Sequence, residues 1–459
     1  MRSDCSALVV FGITGDLARK KIFGALYDLA VLERLDMPVI GVGRSDWSDE
    51  KLRTVAEEAI RAAQSNEGSG EEIDEATLAS VLGRLSYVRG NYDAAQTYVA
   101  LGSTVETHSL ILCYLAVPPT VFGDIVEGLA ATGMASKLRL LIEKPFGSDL
   151  ESARKLRALI RSSFDDEQVF AVDHYMHKEA LQNVMVLRFT NRIFEPTWCS
   201  DHIQSISIVM AEEFGVEGRA GFFDRNGTIR DVVQNHVLQI VTALAMEAPA
   251  SPSAADVNDN RVQLLASIAA LGFDDVVLGQ YEGYLGEEGV EPGSTTDTFV
   301  QARIAIDNQR WTGVEWTISA GKALAETLTE IRVTFRSATA PRFVAEQCEP
   351  EPNRLVIQMT PNESAVLTLQ ALSETLRMGT AATELATDFD YRSTERLSAY
   401  ARVLDAARHG DQTQFARSDV VEQSWRIVDG ILNSSQVPEV YAQGSWGPRR
   451  ARLAEVFRG

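Results

Sequence analysis

The densest group of reactive side chains in the sequence is the stretch Asp173-His174-Tyr175-Met176-His177-Lys178-Glu179. Its His174, Tyr175 and Lys178 can donate hydrogen bonds or positive charge to a phosphate group. Two histidines, a lysine and a tyrosine within one short turn are difficult to explain by packing alone. A metal site is the main alternative, but the stretch lacks a convincing third ligand. These residue types therefore predict a phosphate-binding turn.

A histidine suited to proton transfer ends the sequence Gln234-Asn235-His236, inside a predicted helix. Histidine has an unperturbed pKa near neutrality, so His236 can take a hydroxyl proton while a hydride leaves the same carbon. A single helical histidine is more often a packed or surface residue, and on the residues alone that alternative stays open. Asp231 lies five residues earlier, about 140° away on an ideal α-helix. The two would share a broad face of the helix but not one stripe.

A glycine-rich turn follows the first predicted strand and opens the first predicted helix. It reads Gly12-Ile13-Thr14-Gly15-Asp16-Leu17-Ala18, a GxxGxxA variant of the usual GxGxxG pattern. Glycines at such a junction let the backbone approach a pyrophosphate at a helix N-terminus, which indicates dinucleotide binding. Without the strand before it and the helix after it, the same sequence would serve equally well as a simple structural turn.

Two basic residues follow later strands of the same predicted sheet. Arg44 follows the second strand, where an arginine can hold the 2′-phosphate of NADP and an acid would hold the ribose of NAD. Arg44 therefore favours NADP, although Asp46 weakens the argument and an exposed arginine at a strand end is common. Lys144, in the sequence EKPFG, follows the fifth strand, at the edge where open α/β sheets bind ligands. Alone, it would equally be an ordinary loop lysine.

The elements that must position these residues alternate strand and helix in the N-terminal part of the chain. Six short β-rich runs are predicted strands, at 7–11, 38–42, 85–88, 109–115, 138–142 and 168–172. Helical patterns lie between them at 16–30, 50–63, 121–131 and 150–162. Strands separated by helices predict a Rossmann-like, doubly wound parallel sheet with right-handed crossovers.

The rest of the chain has a different pattern. Helices are predicted at 178–191, 228–246, 400–407 and 418–432, and strands at 203–210, 299–306, 316–319, 331–336 and 355–359. A chain of 459 residues also exceeds what one hydrophobic core usually serves. We therefore expect an α/β domain at 1–172 that binds NADP, followed by a larger β+α domain at 173–459 with a mostly antiparallel sheet. The segment 66–70 is predicted to be a loop.

Charge and cysteine usage exclude several classes of protein. The formal net charge of -21 argues against nucleic-acid binding, and it requires local basic clusters wherever a phosphorylated ligand binds. The four cysteines are widely spaced and form no CxxC pair, so a disulfide framework or a zinc site has little support and a reducing cytoplasm fits best. No run of about 18 apolar residues occurs, so no membrane span is expected.

Seven motifs together resemble those of the glucose-6-phosphate dehydrogenase family and occur in the family's order. They are GxxGDLA, EKPFG, DHYxxKE, GVEGRxGFFD, GxIRDxxQNHxxQ, PGSTTxTF and RWxGVxWxxxxGKAL, and the resemblance runs from Val9 to Leu324 and more weakly onward. It implies oxidation of C1 of D-glucose 6-phosphate by NADP to 6-phosphoglucono-1,5-lactone, in the oxidative pentose phosphate pathway. It also implies a homodimer or homotetramer assembled through the sheet of the second domain.

The resemblance assigns a role to each matching position and implies no metal ion. His236 matches the family's general base, and Asp173 matches the carboxylate that orients and charges that histidine. Positions matching substrate ligands are Lys144, His174, Tyr175, Lys178, Glu212, Asp231 and Lys322. Positions on the cofactor side are Gly12, Thr14, Gly15, Asp16, Leu17, Arg44 and Lys144.

Three positions depart from the family's pattern. Met176-His177 replaces the usual Leu-Gly of the phosphate motif, and we expect His177 to face solvent and not to crowd the phosphate. Thr327 stands where the family usually carries a second cation, five residues past Lys322, so one contact is missing unless Arg332 or another residue substitutes. Ser319 stands where some members carry an arginine for a second, structural NADP, and we expect no such second site.

These departures leave two alternatives to glucose 6-phosphate oxidation. One is oxidation of another 6-substituted hexose, because His177 and Thr327 both fall where the anionic end of the substrate is expected. The other is a relative that binds the cofactor without catalysis. The second alternative is weakened by the joint presence of Lys144, Asp173, Lys178 and His236.

Overall fold

The computed structural model describes residues 4–66, 73–173, 175–176, 178–338, 350–373, 380–389, 397–432, 436–451 and 453. Within it the chain forms two compact units. The first unit contains Met1–Lys178, Ala250–Asn258 and Ser393–Glu422, and the second contains Glu179–Pro249, Asp259–Arg392 and Gln423–Gly459. Neither unit is a single continuous stretch of the chain.

A six-stranded parallel sheet forms the centre of the first unit. Its strands are β1 (Ala7–Phe11), β2 (Val39–Gly43), β3 (Leu85–Arg89), β4 (Ile111–Leu115), β5 (Leu138–Ile142) and β6 (Val169–Ala171). Their order is β3-β2-β1-β4-β5-β6, and all neighbouring strands are parallel. This is the doubly wound order, so the predicted Rossmann-like sheet is confirmed.

Helices cover both faces of this sheet. They are α1 (Phe23–Val31), α2 (Asp49–Asn66), α3 (Glu75–Gly83), α4 (Ala95–Val105), α5 (Phe122–Ala131) and α6 (Leu150–Arg161). Alternate residues of β1 enter two cores, since Leu8 and Val10 pack with α1 to α3, and Val9 and Phe11 pack with α4 to α6. A π-helical segment, Ala18–Ile22, precedes α1. The helices α3 and α4 are additional to the predicted ones. Residues 67–70 of the predicted loop lie outside the described residues.

The second unit is built on a nine-stranded sheet. Its strands are β7 (Ile203–Ala211), β8 (Val276–Tyr281), β9 (Phe299–Ile304), β10 (Glu315–Gly321), β11 (Leu328–Phe335), β12 (Arg354–Thr360), β13 (Ser364–Leu372), β14 (Thr380–Asp388) and β15 (Glu439–Tyr441). Their order is β14-β13-β12-β11-β7-β10-β9-β8-β15. Only the pairs β7–β10 and β8–β15 are parallel among these described strands. The expected mostly antiparallel sheet is confirmed.

The remaining helices are α7 (Glu179–Thr190), α8 (Ala220–Thr228), α9 (Leu238–Ala245), α10 (Ala254–Ser267), α11 (Ala399–His409) and α12 (Ser418–Leu432). A π-helix, Ile229–Val237, joins α8 to α9. Short 3₁₀ turns occur at Pro119–Val121, Ala135–Lys137, Asp166–Gln168, Glu195–Thr197, Phe273–Asp275, Tyr284–Gly286 and Arg449–Ala451. Helix α11 belongs to the first unit and packs against α1. Among the described helices, none has the length and apolar character needed to cross a membrane.

Candidate active site

The turn after β1 has a backbone shape and a closeness of packing that only glycine allows. Gly12 has a φ of 82°, and a Cβ at this position would lie 2.3 Å from the carbonyl oxygen of Ala116. Gly15 donates its N–H to the Gly12 carbonyl at 2.9 Å. Gly15 and Asp16 are both exposed. The turn therefore presents bare backbone at the carboxyl edge of the sheet, which fits the close approach of a dinucleotide pyrophosphate.

The other predicted cofactor residues of this turn have separate surroundings. The Ser45 hydroxyl donates to Thr14 Oγ1 at 3.4 Å, which connects the turn to the segment after β2. Asp16 forms an exposed ion pair with Lys20 at 3.7 Å. Leu17 is half-buried and packs against the core on the α1 side of the sheet. Among these three residues, Thr14 is the one whose side chain bonds the segment that follows β2.

Arg44 is exposed just beyond the end of β2 and lies over an aromatic ring. Its guanidinium carbon is 5.9 Å from the ring centroid of Tyr92. The Tyr92 ring in turn packs edge-on against Phe11, with centroids 6.0 Å apart. Asp46 forms an ion pair with Arg89, at 2.5 Å between Oδ1 and Nη1. The acid that weakened the sequence argument for NADP is thus bonded to an arginine at the end of the neighbouring strand.

Lys144 follows β5 and is half-buried. The preceding residue, Glu143, accepts a hydrogen bond from the hydroxyl of Tyr114, which is fully buried on β4. Burial, together with the adjacent Glu143 carboxylate, raises the pKa of Tyr114 well above its ordinary value. The hydroxyl therefore stays protonated and donates to Glu143, which holds the backbone next to Lys144 against the sheet.

The predicted phosphate turn begins directly after β6. Buried Asp173 accepts the backbone N–H of Tyr175 at 2.9 Å through its carboxylate, and its carbonyl accepts the N–H of Met176 at 3.0 Å. The Lys178 ammonium lies 4.2 Å from the ring centroid of Tyr175. The turn thus places a cation beside the tyrosine ring. His174 and His177 lie outside the described residues.

Asp231 and His236 lie in the π-helix Ile229–Val237 of the second unit. A π-helix bonds residue i to residue i+5, so residues five apart lie one turn above each other. The separation of about 140° expected from ideal α-helical geometry is therefore wrong. Both residues are half-buried on the accessible side, whereas Val233 and Val237 are fully buried. The π-helical turn thus brings a carboxylate and an imidazole to one side of the helix.

A carboxylate from a distant segment caps the start of this π-helix. Asp297 Oδ2 accepts the N–H of Ile229 at 3.0 Å, and its carbonyl accepts the N–H and the hydroxyl of Thr228, each at 3.0 Å. A Cβ at Gly227 would lie 2.7 Å from Asp297 Oδ1. Asp297 is half-buried and lines a cavity of about 110 Å³. Burial nevertheless raises the pKa of Asp297 to about 7.

Glu212 and Lys322 meet at the ends of two parallel strands. Glu212 follows β7 and Lys322 follows β10, and the register pairs Ala211 with Gly321. The Lys322 ammonium donates to Glu212 Oε2. The Lys322 side chain is 13% exposed and that of Glu212 is 38% exposed, so the carboxylate is the more accessible partner. The pair therefore offers both a donor and an acceptor to a polyhydroxyl ligand.

Aromatic rings enclose the Lys322 ammonium. Its nitrogen lies 5.3 Å from the ring centroid of Phe214 and 5.4 Å from that of Phe223. Both rings come from the segment between β7 and the π-helix. Such cation–π contacts hold a lysine in one place without consuming its hydrogen-bond donors.

Two of the three departures from the family's pattern, at Thr327 and Ser319, fall on described residues. The Thr327 hydroxyl accepts the backbone N–H of Glu213 at 3.0 Å, so it supports the segment next to Glu212. Arg332 lies four residues past Leu328 on β11, about 13 Å along the strand, and its Nε donates to Glu330. Arg332 therefore does not replace the missing cation.

Ser319 is fully buried on β10, where its hydroxyl accepts from Gln301 Nε2 at 3.1 Å. Sequence reasoning missed Tyr92 and Phe214, whose rings lie beside Arg44 and Lys322. It also missed Arg89, which pairs with Asp46, and Asp297, which caps the π-helix. Asp297 occupies the position left open in PGSTTxTF, and no residue pattern in the sequence indicated its role. Arg89 and Tyr92 follow a predicted strand, which was the one available signal for them.

The first unit has a doubly wound sheet with a glycine turn, and the second carries a histidine, carboxylates and a lysine. This combination is typical of two-part dehydrogenases that depend on a nicotinamide cofactor. Among the described residues, no group of three or more His, Cys, Asp or Glu side chains is arranged to hold a metal ion.

The family model for the glucose-6-phosphate dehydrogenase NAD binding domain matches residues 9–183, and that for the C-terminal domain matches 185–455.

Individual relatives extend this match over the whole chain. The chain is 39% identical over 452 residues to glucose-6-phosphate 1-dehydrogenase 1 of Mycobacterium bovis, covering 98% of this chain and 94% of the relative. It is 36% identical to a cytoplasmic glucose-6-phosphate 1-dehydrogenase 6 of Arabidopsis thaliana, covering 97% and 90%. The chain belongs to the glucose-6-phosphate dehydrogenase family.

Two solved structures show the same fold. The glucose-6-phosphate 1-dehydrogenase of Mycobacterium avium superposes with a TM-score of 0.89 at 40% identity, covering 98% of both chains. A glucose-6-phosphate dehydrogenase in complex with its substrate glucose-6-phosphate superposes with a TM-score of 0.90 at 32% identity, covering 99% of this chain and 98% of that one. The likeness therefore includes both units of the chain.

Proposed function

We propose that the chain oxidises C1 of D-glucose 6-phosphate with NADP⁺ and releases 6-phosphoglucono-1,5-lactone. The observation that carries this proposal is the full-length likeness to a glucose-6-phosphate dehydrogenase whose structure contains that sugar phosphate. The candidate residues of both units support it, because they supply a base, a phosphate-binding cation and hydroxyl ligands. The oxidation needs each of these functions.

His236 is the proposed general base, which takes the proton of the C1 hydroxyl. It is half-buried in the π-helix, on the same side as Asp231. A neighbouring carboxylate favours the imidazolium that forms, so Asp231 can hold a sugar hydroxyl and support the charge on His236. Asp173 is the proposed carboxylate partner of His236, by the family's pattern. The nicotinamide ring, when bound, supplies the hydride acceptor.

Lys178 is the proposed cation for the substrate phosphate. A lysine ammonium is a point charge with three donors, and the Tyr175 ring 4.2 Å away holds it on one side. His174 completes the proposed phosphate ligands by the family's pattern. With Thr327 in place of a second cation, Lys178 carries a larger share of the attraction for the dianion. Its loss should therefore discriminate strongly between phosphorylated and free sugars.

The sugar hydroxyls are the proposed partners of Glu212, Asp231 and Lys322. Lys322 and Glu212 are paired with each other before substrate binds. Each can then bond a sugar hydroxyl while it stays paired, so neither charge loses its partner. Lys144, half-buried after β5, is the proposed link between sugar and cofactor. Donors fixed before substrate binds lose less entropy when the complex forms.

The proposed cofactor is NADP⁺, held by the glycine turn and by Arg44. Gly12, Thr14 and Gly15 would face the pyrophosphate, with Asp16 and Leu17 completing the turn, and Arg44 would pair with the 2′-phosphate. We also propose a cytoplasmic homodimer or homotetramer acting in the oxidative pentose phosphate pathway. The relatives in Arabidopsis thaliana and Solanum tuberosum that carry cytoplasmic in their names support the location.

Steady-state formation of NADPH tests the proposal directly. The wild-type protein, His236→Asn and His202→Asn are each assayed with glucose 6-phosphate and with free glucose. His202 is exposed in the same unit, so its substitution is a matched control. We expect His236→Asn to lower kcat by about two to four orders of magnitude, the usual scale for loss of a general base, and His202→Asn to leave kcat unchanged.

Two results would contradict the proposal. A kcat for His236→Asn within about threefold of wild type would remove His236 as the base. A wild-type protein without preference for the phosphorylated sugar would mean that the phosphate turn binds another group. Oxidation of a different 6-substituted hexose would then be the better explanation, and a panel of such sugars at fixed NADP⁺ would identify it.

A further inference from the structure

The ends of β2 and β3 carry two charged residues, Asp46 and Arg89, that the proposed function leaves unassigned. These strands are adjacent and parallel, and the register pairs Gly43 with Arg89. Arg44 and Asp46 therefore leave β2 at the same edge where Arg89 ends β3. In doubly wound sheets, the residues at the end of the second strand face the adenosine ribose and decide between a 2′-hydroxyl and a 2′-phosphate.

The turn after β2 is held in a fixed shape. The carbonyl of Ser45 accepts the Tyr87 hydroxyl at 2.9 Å and the backbone N–H of Trp47 at 2.9 Å. The Trp47 ring also lies beneath the Arg19 guanidinium, 5.6 Å from its carbon to the ring centroid. Asp46 is thus fixed between two anchored residues, and Arg19 is engaged with the tryptophan. Asp46 therefore leaves this anchored turn two residues after Arg44, at the same edge of the sheet.

An unpaired carboxylate at this place would oppose a 2′-phosphate in two ways. It would repel the phosphate dianion, and it would compete for the Arg44 guanidinium two residues away. The structure gives Asp46 a different partner, because Arg89 Nη1 lies 2.5 Å from Asp46 Oδ1. The Asp46 side chain is 83% exposed and that of Arg89 is 60% exposed, so the pair contributes little to stability. The consequence of this ion pair is that the negative charge of Asp46 is neutralised.

Arg44 is left available by this arrangement. Among the described residues it forms no ion pair, and its guanidinium lies over the Tyr92 ring. A cation–π contact attracts the guanidinium to the ring face without using its N–H donors, which stay available for a phosphate. Tyr92 itself is 8% exposed and is held by Phe11, so the platform is rigid.

We propose that Arg89 selects the cofactor: by neutralising Asp46 it leaves Arg44 free to bind the 2′-phosphate, and it makes the chain prefer NADP⁺ to NAD⁺. This inference rests on the proposed NADP⁺ site. It adds Arg89, which acts on the cofactor through Asp46. Arg89 is a positioning residue here. Its effect requires Asp46 to be present.

A double-mutant cycle measured by binding tests this dependence. Dissociation constants for NADP⁺, NAD⁺, adenosine 2′,5′-bisphosphate and adenosine 5′-monophosphate are determined by calorimetry for wild type, Arg89→Met, Asp46→Asn and the double variant. Arg161→Met is the matched control, because Arg161 forms an exposed ion pair with Asp166 at 3.4 Å at the end of α6. Helix α6 leads back to the start of β6, away from the carboxyl edge of the sheet.

Arg89→Met should weaken NADP⁺ and the 2′,5′-bisphosphate by about 10-fold, equivalent to about 1.4 kcal/mol. Binding of NAD⁺ and of the monophosphate should change by less than about twofold. Adding Asp46→Asn should restore NADP⁺ binding to within about threefold of wild type, because the exposed carboxylate is then gone. Arg161→Met should bind all four ligands as wild type does.

Failure of this inference can be told apart from failure of the cofactor assignment. Equal dissociation constants for NADP⁺ and NAD⁺ in wild type would overturn the NADP⁺ assignment, and the inference with it. A wild-type preference that Arg89→Met leaves within twofold would overturn the inference alone. A loss in Arg89→Met that Asp46→Asn does not restore would show that Arg89 binds the phosphate directly, and it would equally overturn the role through Asp46.

Discussion

The free energy of unfolding of Asp297→Asn should increase relative to that of the wild type as the pH rises. The pKa of an aspartate is normally about 3.9, whereas burial raises the pKa of Asp297 to about 7. The folded state therefore holds the proton more tightly than the unfolded state does. The contribution of this carboxyl group to the free energy of unfolding is largest below about pH 4, falls as the pH rises to about 7, and stays low above that.

The structure sets the size of this effect. Each unit of pKa difference corresponds to about 1.4 kcal/mol, so ionising the buried group costs at most about 4 kcal/mol. Between about pH 5 and pH 8 the wild type should lose up to about 2.5 kcal/mol relative to the variant, less whatever the solvent in the adjoining cavity recovers. Asparagine stays uncharged over this range, and its amide oxygen can still accept the Ile229 N–H.

Urea denaturation at both pH values, followed by circular dichroism, measures the difference. Asp201→Asn is the control, because Asp201 is exposed in the same unit. Asp297→Ala should instead be less stable than Asp297→Asn at both pH values by about 0.5–2 kcal/mol, since it removes the cap of the π-helix. Stability differences between wild type and Asp297→Asn that stay constant with pH would refute the reasoning.

Three further predictions concern the substrate residues. Lys178→Ala should raise the KM for glucose 6-phosphate at least about 30-fold, from loss of about 2 kcal/mol or more of charge-assisted bonding, and hardly change activity on free glucose; equal losses on both sugars would make Lys178 structural. Thr327→Val should raise that KM about 2- to 5-fold, because losing the hydrogen bond to the Glu213 N–H, about 0.5–1 kcal/mol, loosens the segment beside Glu212. Thr327→Ser should restore it, so an unchanged KM in Thr327→Val would remove this role. Lys322→Met should lower kcat/KM by about 10- to 150-fold without a matching loss of cofactor affinity; equal losses in both would indicate misfolding.

The fold was predictable where the spacing of apolar residues is typical of either a strand or a helix, but not of both. Strands β1 and β5 have the predicted bounds, because short runs of aliphatic residues between helices read as buried parallel strands. Helix α12 also matches its prediction. Strand β14 was missed, since Thr380–Asp388 is almost wholly exposed and has no apolar alternation. Its pairing with β13 forms it, and a single sequence segment does not reveal its partner.

The candidate site was predictable for residue types but not for their local geometry. The position of Lys322 beside Glu212 depends on the parallel pairing of β7 and β10, which no local pattern records. The π-helix was also missed, because its sequence has the periodicity of an ordinary helix. Asp297, capping that helix from a segment far along the chain, contributes to holding the turn. Such features depend on tertiary contacts and not on propensity.

Transfer of a labelled hydrogen tests the central claim most directly. Glucose 6-phosphate carrying deuterium at C1 is turned over with NADP⁺, and the reduced cofactor is analysed by mass spectrometry. The account predicts that the deuterium moves from C1 to the nicotinamide ring in every turnover, and that His236→Asn slows this transfer without changing its stoichiometry. Reduced cofactor without deuterium, or no reduced cofactor at all from this sugar, would contradict oxidation at C1 by this chain.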